Sequence, residues 1–322
     1  MSYRLIDYPH FVDISFYQQA LDAMTERLKQ TNEVVSVFQL GSVSATGISD
    51  LDMLAVFNDQ VKIEKNFLTG LSPEERYLFI HNLYGISKNN FEENRQFDFF
   101  HNYKLLHGEK LPEQKKATVH QDVLQRQVAL EYVTKMYITI QLQEDYGVLR
   151  MRDLLLHVKA LKYDLEFLGS NFGKLHDLVE QIFEWRKNWF SEMPSNNEII
   201  KWWNSFRNSF DEFITVIFKT HKMYLPLKTT YKIAKNISII PSEEKIAYTR
   251  EGLKLPRWTS MIGKKYFRIQ NRLSHFRFQI PIENDTTPPI LMKKQEFEKK
   301  IIAYNKSYLP SFLPLSSSLH AI

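Results

Sequence analysis

Two aspartates separated by a single residue form the most chemically suggestive motif of the chain. Asp50 and Asp52 lie at the start of an apolar segment, LDMLAVF, at residues 51–57. The period of two in a β-strand places both carboxylates on the same face. Adjacent carboxylates repel each other unless a cation lies between them, and hard oxygen ligands suit Mg²⁺ or Mn²⁺. The motif therefore predicts a metal site at Asp50 and Asp52.

A glycine and a serine follow the preceding apolar segment, VVSVFQL, at residues 34–40. Gly41 allows the backbone to approach a bulky anion. The neighbouring N–H groups and the hydroxyl of Ser42 can donate hydrogen bonds to phosphate oxygens. A phosphate cradle is therefore predicted one loop away from the acidic pair. This combination suits two-metal phosphoryl or nucleotidyl transfer.

The elements that must position these residues are indicated by hydrophobic periodicity. Apolar residues recur at helical spacing before the motif, and Ser72 with Glu75 fits a capping box at the start of a later helix. The predicted order is a helix at 14–30, strands at 34–40 and 51–57, a helix at 72–84 and a strand at 96–101. Residues 1–115 are therefore predicted to form a small mixed sheet with helices.

The remainder of the chain changes character twice. Four helices are predicted at 118–145, 148–168, 172–192 and 196–222, which indicates a helical bundle over residues 116–222. Residues 223–322 contain prolines, short β-like runs such as 237–240 and 276–282, a helix at 293–305 and a loose tail. The predicted fold class is α+β, with three domains at 1–115, 116–222 and 223–322.

The segment LGS…SDLDMLAVF, residues 40–57, resembles the signature of the DNA polymerase β-like nucleotidyltransferase superfamily. The resemblance implies transfer of a nucleotidyl group from a nucleoside triphosphate (NTP) to an acceptor, with two Mg²⁺ ions. By position, Gly41 and Ser42 would bind the triphosphate, and Asp50 and Asp52 would bind metal. The loop between Ser42 and Asp50 is shorter than in many members, which leaves less room to wrap a triphosphate.

The same resemblance implies a third carboxylate from a later strand. Asp98 is the best candidate, because it lies in the middle of the apolar segment 96–101, where an unpaired carboxylate would be costly. Glu92 and Glu93 are the alternatives. Asp98 is also the simplest base for deprotonating an acceptor hydroxyl. Related enzymes often hold the triphosphate with a basic residue from the following helical region, and this suggests Lys159.

Two other functions compete with catalysis of nucleotidyl transfer. A protein could retain the fold and bind nucleotide or RNA without catalysis. Arg152 and His157 match the loose arginine–histidine spacing of a helical ribonuclease family. Two other pairs match the same spacing, Arg95 with His101 and Arg268 with His275, so this pattern discriminates poorly.

Positive charge is concentrated near the C-terminus. The whole chain carries +5, whereas residues 219–282 contain 14 Lys or Arg and 3 Asp or Glu, which leaves −6 for the rest. Aromatic residues are interleaved with these basic residues: Trp258, Tyr266, Phe267, Phe276 and Phe278. Such a surface suits RNA or another polyanion, a phosphorylated acceptor, an acidic partner or an anionic membrane. A basic surface over an aromatic core is the non-functional alternative.

Composition excludes several classes of protein. The chain of 322 residues has no cysteine, which rules out disulfides, thiolate metal sites and a cysteine nucleophile. Its 10 glycines do not form a P-loop, a dinucleotide-binding fingerprint or a nucleophile elbow. The N-terminal segment lacks the apolar core of a signal peptide, and no apolar window is long enough for a membrane span. A cytoplasmic protein is therefore expected.

Overall fold

The structure is a computed structural model that describes residues 3–97, 102–110, 121–169, 172–225, 230–283 and 287–315. The chain divides into two compact units. The first, called the N-terminal unit, is formed by His10–Gln121 and Lys293–Ser316. The second, called the helical unit, is formed mainly by Met1–Pro9 and Asp122–Met292. Helices and mixed sheets are both present, so the α+β class is confirmed.

The described elements follow one another along the chain in this order: β1 (Arg4–Ile6), α1 (Ile14–Lys29), β2 (Val34–Leu40), β3 (Asp52–Phe57), α2 (Pro73–Leu78), β4 (Tyr84–Ser87), α3 (Lys88–Asn94), β5 (Tyr103–Gly108), α4 (Gln121–Tyr146), β6 (Val148–Arg150), α5 (Met151–His157), α6 (Leu161–Phe167), α7 (Gly173–Asn188), α8 (Asn196–Thr220), β7 (Met223–Tyr224), β8 (Tyr231–Ala234), β9 (Ile237–Ser242), β10 (Ala247–Gly252), α9 (Lys264–Leu273), β11 (Ser274–Glu283) and α10 (Pro289–Tyr308). Two 3-10 helices lie at Val158–Ala160 and Arg257–Ile262.

Among its described residues, the N-terminal unit contains a four-stranded sheet with the order β4-β3-β2-β5. β2 pairs antiparallel with β3 and β5, and β3 pairs parallel with β4. Alternate residues of β2 and β3 face two separate apolar clusters, as the period of two requires. One cluster contains the buried side of α1, and the other contains Phe91 of α3. The predicted helix and the first two predicted strands are thus present.

Two boundaries in this unit differ from the prediction. The helix predicted at 72–84 has the expected capping box but ends at Leu78, and a strand begins at Tyr84. Parallel pairing with β3 stabilises this strand, and local periodicity gives no sign of such pairing. Of the strand predicted at 96–101, residues 96–97 form a turn and residues 98–101 lie outside the described residues. β5 forms one edge of the described sheet, and β4 forms the other.

The segment after α10 is packed rather than loose through residue 315. Leu309 and Phe312 are buried in the same cluster as α1, and Leu315 is buried in the cluster on the other face. The N–H of Gly85 donates to the carbonyl of Leu313 at 3.0 Å. A Cβ on Gly85 would lie 2.6 Å from Cβ of Phe312, so glycine is required for this close approach. These contacts explain why residues 293–316 belong to the N-terminal unit.

The helical unit contains three of the predicted helices with similar bounds, now α4, α7 and α8. The helix predicted at 148–168 is instead divided into β6, α5, a 3-10 helix and α6. Strands β10, β11, β9 and β8 pair in that order, and β7 pairs with β11. Residues on both sides of the predicted boundary at 222 fall within this unit. Within the part of the chain that the structure describes, no helix combines the length and apolarity needed to cross a membrane.

Candidate metal centre

Asp50 and Asp52 lie at one end of the sheet in the N-terminal unit. Asp52 is the first residue of β3 and pairs with Leu40, the last residue of β2. Gly41 follows Leu40 directly, so the glycine–serine loop begins at the same end of the sheet. Asp50 precedes the strand, and both carboxylates are half-buried. The register of β2 with β3 therefore brings together two features that the sequence places ten residues apart.

A histidine completes this cluster. One potential ligand atom from each of Asp50, Asp52 and His81 lies within 4.8 Å of the others. His81 Nε2 is 2.7 Å from Oδ1 of Asp52. The pairing of β4 with β3 accounts for this contact, because it places the residues just before Tyr84 beside the start of β3. The three side chains form a set of two carboxylates and one imidazole.

The orientation of the His81 ring is fixed by its other nitrogen. Nδ1 lies 2.7 Å from the carbonyl oxygen of Asn82, and a carbonyl only accepts hydrogen bonds. Nδ1 therefore carries a proton, and Nε2 faces Asp52. A backbone carbonyl that holds the second ring nitrogen is a frequent feature of metal-binding histidines.

Charge at the cluster alters the protonation of its neighbours. Burial alone would lower the pKa of His81. The hydrogen bond and charge of Asp52, with smaller effects from the Asn82 carbonyl and the Asp50 carboxylate, outweigh burial and raise this pKa above its usual value. Burial raises the pKa of Tyr84, and the same two carboxylates add to the effect. Tyr84 is therefore a neutral hydroxyl at the side of the cluster, with its ring 5.3 Å from that of His81.

The cluster fits a divalent cation. Oδ1 of Asp52 is shielded from solvent, and among the described residues no donor is aligned for a hydrogen bond to it, although Nε2 of His81 is close. In the metal-free protein the group beside this oxygen is His81, and a divalent cation bound by the two carboxylates and the imidazole would take over its charge compensation. Carboxylate oxygens and an imidazole nitrogen are ligands of Mn²⁺ and similar ions, and the carboxylates also suit Mg²⁺.

Two tyrosines hold the loop between β2 and β3. The hydroxyl of Tyr17, from α1, donates to the carbonyl of Ser49 at 2.8 Å and accepts from the N–H of Gly47 at 2.9 Å. The hydroxyl of Tyr77, from α2, donates to the carbonyl of Gly47 at 2.5 Å. The N–H of Leu51 donates to the carbonyl of Leu78. The loop that presents Asp50 is therefore tied to both neighbouring helices.

Gly41 and Ser42 line a cavity of about 510 Å³ next to β5. Gly41 has φ +69° and its own N–H donates to the carbonyl of Asn102, so this N–H does not serve a phosphate. Among the described residues, no atom lies within 4 Å of a Cβ placed on Gly41, and the hydroxyl-bearing side chain of Ser42 is exposed. Lys104, which the sequence did not single out, lines the same cavity with an exposed side chain.

The described acidic candidates from the sequence other than Asp50 and Asp52 are not part of the cluster. Asp98 lies outside the described residues, so its role stays a prediction. Glu93 pairs with Lys300 at 2.6 Å, and neither it nor Glu92 is part of the ligand set found among the described residues. Lys159 lies in the 3-10 helix of the helical unit, and its contact with a triphosphate stays a prediction. Arg152, the basis of the ribonuclease alternative, is buried.

Sequence reasoning missed His81 because the predicted helix at 72–84 ran through it. A signal was nevertheless present, since the short run Tyr84–Ser87 with its glycine is β-like. Comparison of the chain with protein-family models, with curated proteins and with solved structures finds no match.

Proposed function

We propose that the N-terminal unit is a metal-dependent nucleotidyltransferase, which transfers a nucleoside monophosphate group from an NTP to an acceptor hydroxyl or phosphate. The observation that carries the proposal is the convergence of Asp50, Asp52 and His81 at the sheet end where the Gly41-Ser42 loop begins. A divalent cation and a polyanionic substrate are the natural pair for such an arrangement.

The residues of the candidate site have separate roles in the proposed reaction. Asp50, Asp52 and His81 would hold the metal, which supplies charge neutralisation and Lewis acidity when it is bound. The hydroxyl of Ser42 and the ammonium of Lys104 would hold phosphate oxygens at the cavity that both residues line. The Asn82 carbonyl keeps the His81 ring oriented.

The proposed reaction forms one bond to the α-phosphorus and breaks another. A bond forms between the acceptor oxygen and the α-phosphorus, and the bond from the α-phosphorus to the bridging oxygen breaks. Pyrophosphate leaves with the electron pair of that bond. The proton of an acceptor hydroxyl passes to a carboxylate, a role that the sequence assigns to Asp98.

The test is to incubate the full chain with labelled NTPs, Mg²⁺ or Mn²⁺ and fractionated cell extract, and to measure pyrophosphate release and transfer of label. Asp50→Asn and Asp52→Asn, singly and together, should each reduce transfer by about 10²-fold or more, since metal stabilisation of the transition state contributes several kcal/mol. Asp59→Asn is the matched control, because Asp59 is an exposed aspartate in the same unit.

The outcomes separate catalysis from binding. Unchanged transfer in the double variant contradicts the proposal. NTP binding that needs the metal, measured by calorimetry, without pyrophosphate release for any acceptor fraction would identify the non-catalytic binding protein instead.

A further inference from the structure

The connection between the adjacent antiparallel strands β10 and β11 is long and contains helices. Gly252 pairs with Ser274, and residues 253–273 between them form a 3-10 helix and α9. We call this segment the 253–273 loop. Its two ends are joined, because the N–H of Leu253 donates to the carbonyl of Leu273 at 2.9 Å. It is therefore an excursion at one end of the sheet rather than a tight turn.

The inner side of the 253–273 loop is anchored. Tyr266 and Gln270 of α9 are fully buried. The Tyr266 ring packs edge to face on Tyr146, with 6.0 Å between the ring centroids. The side chain of Gln270 donates to the carbonyl of Leu253 and accepts from the N–H of Leu255, both at 2.8 Å. These contacts fix which side of α9 faces outward.

The outer side of the 253–273 loop exposes large apolar side chains. Trp258 is 71% exposed, Met261 67% and Leu253 61%. Ile262 and Ile269 are exposed as well. The other four tryptophans of the chain, at 185, 189, 202 and 203, are buried. Such a concentration of exposed apolar side chains within one short segment marks an interaction surface.

The charge of the 253–273 loop has one sign. It contains six Lys or Arg and no Asp or Glu. Lys265, Arg268 and Arg272 are exposed on α9. Lys265 lies four residues before the exposed Ile269 and Arg272 three residues after it, so these side chains share one side of the helix. The surface therefore combines an apolar patch with cationic side chains, and it is complementary to an anionic partner.

Burial of the aromatic residues decides against RNA as that partner. Single-stranded nucleic acid is held by base stacking on exposed aromatic rings. Tyr266, Phe276 and Phe278 are at most 1% exposed, so these rings belong to the core. Phe267 is half-buried, and the large apolar side chains that the loop exposes besides Trp258 are aliphatic: leucine, isoleucine and methionine. Aliphatic side chains with one tryptophan and a set of basic residues are typical of a surface that lies in a lipid headgroup layer.

We propose that the 253–273 loop docks the protein on an anionic lipid surface. Trp258, Met261 and their apolar neighbours would enter the boundary between headgroups and acyl chains. Lys265, Arg268 and Arg272 would contact lipid phosphates. The apolar insertion and the charge attraction act together, since either alone gives weak and reversible binding.

Trp258 supplies a direct measurement on the full chain. Because the other tryptophans are buried, vesicles of phosphatidylcholine with phosphatidylglycerol should shift the tryptophan emission to shorter wavelength and protect Trp258 from iodide. Brominated lipids should quench it. Phosphatidylcholine alone should cause little change, and added salt should weaken the effect. Trp258→Phe should remove the fluorescence change but retain binding in a vesicle flotation assay.

Two double variants test the two parts of the surface by flotation. Trp258→Ser with Met261→Ser, and Lys265→Glu with Arg268→Glu, should each weaken binding by at least about tenfold. Matched controls alter exposed residues elsewhere in the helical unit: Met193→Ser for the apolar change, and Lys187→Glu with Lys201→Glu for the charge change. The controls should bind as the wild type does.

Three results would overturn the proposal. Absence of binding to anionic vesicles is one, and binding that none of the variants weakens is another. The third is an absence of vesicle binding together with one of two findings. These findings are a fluorescence change with single-stranded RNA, or a loss of self-association in the Trp258→Ser, Met261→Ser variant. Those last outcomes assign the surface to nucleic acid or to a second copy of the chain.

Discussion

His81 gives the candidate metal centre a nitrogen ligand beside carboxylate oxygens. Mg²⁺ is bound by oxygen ligands, whereas a site with an added nitrogen ligand binds first-row transition ions, a series that begins with Mn²⁺. We therefore predict that Mn²⁺ binds more tightly than Mg²⁺ and that His81→Asp reduces this preference by about tenfold. Competition calorimetry measures both affinities, and the electron paramagnetic resonance spectrum of Mn²⁺ is a second readout.

The control for this prediction is His176→Asp, which places the same change at an exposed histidine of the helical unit. It should leave the ratio of the two affinities as in the wild type. An equal ratio in wild type and His81→Asp would show that His81 is not a ligand.

The protonation of His81 offers a second test at the residue scale. Its pKa is raised in the metal-free protein, because the hydrogen bond and charge of Asp52, together with the Asn82 carbonyl and Asp50, outweigh burial. The protonated ring therefore stabilises the fold fully at pH below the ordinary histidine pKa, and this contribution is lost as the pH rises through the raised value. NMR titration of the ring nitrogens should show the raised pKa and a lower one in Asp52→Asn. No change in that variant, or the same change in Asp59→Asn, would contradict the assignment.

The loop between β2 and β3 depends on helices α1 and α2 for its shape. Tyr17→Phe removes the hydroxyl that accepts from the N–H of Gly47 and donates to the carbonyl of Ser49, both in the buried loop backbone. Leaving such groups unsatisfied costs about 1–3 kcal/mol, so the free energy of unfolding should fall by that order. Because the loop presents Asp50, metal affinity should fall as well.

Tyr304→Phe is the matched control for the loop. Its hydroxyl accepts from the N–H of Gln60 at 3.0 Å and is partly exposed, so a smaller loss of stability is expected. Metal affinity should not change in this variant. Equal metal affinity in Tyr17→Phe and wild type would show that the loop does not need this tyrosine to position its carboxylate.

At the scale of the whole molecule, the N-terminal unit is closed by residues from the far end of the chain. A fragment of residues 1–292 lacks Leu309 and Phe312, which are buried among the residues of α1 and β3. Large cavities in a core cost several kcal/mol each. We predict that this fragment loses hydrogen-exchange protection over residues 14–57 but keeps it in α4, α7 and α8. Undiminished protection at 14–57 would show that the unit folds without its C-terminal segment.

The sequence by itself determined what depends on neighbours along the chain. Helical spacing predicted α1 and α8, and the capping box at Ser72 was correctly placed, because side-chain period and cap chemistry are local. The strand–loop–strand motif around Asp50 and Asp52 was also present in the sequence as two short apolar runs.

Only the tertiary structure decided what depends on distant pairing. The end of the helix predicted at 72–84 is instead a segment that leads into β4. The parallel pairing of β4 with β3 places His81 of this segment beside Asp52. Trp258 is exposed, whereas Phe276 and Phe278 are buried, and the sequence alone does not distinguish these aromatic residues. Packing of residues 309–315 into the first core required contacts across almost the whole chain. Local propensity contains no term for such contacts, since their free energy arises only when separate elements bury a shared apolar surface.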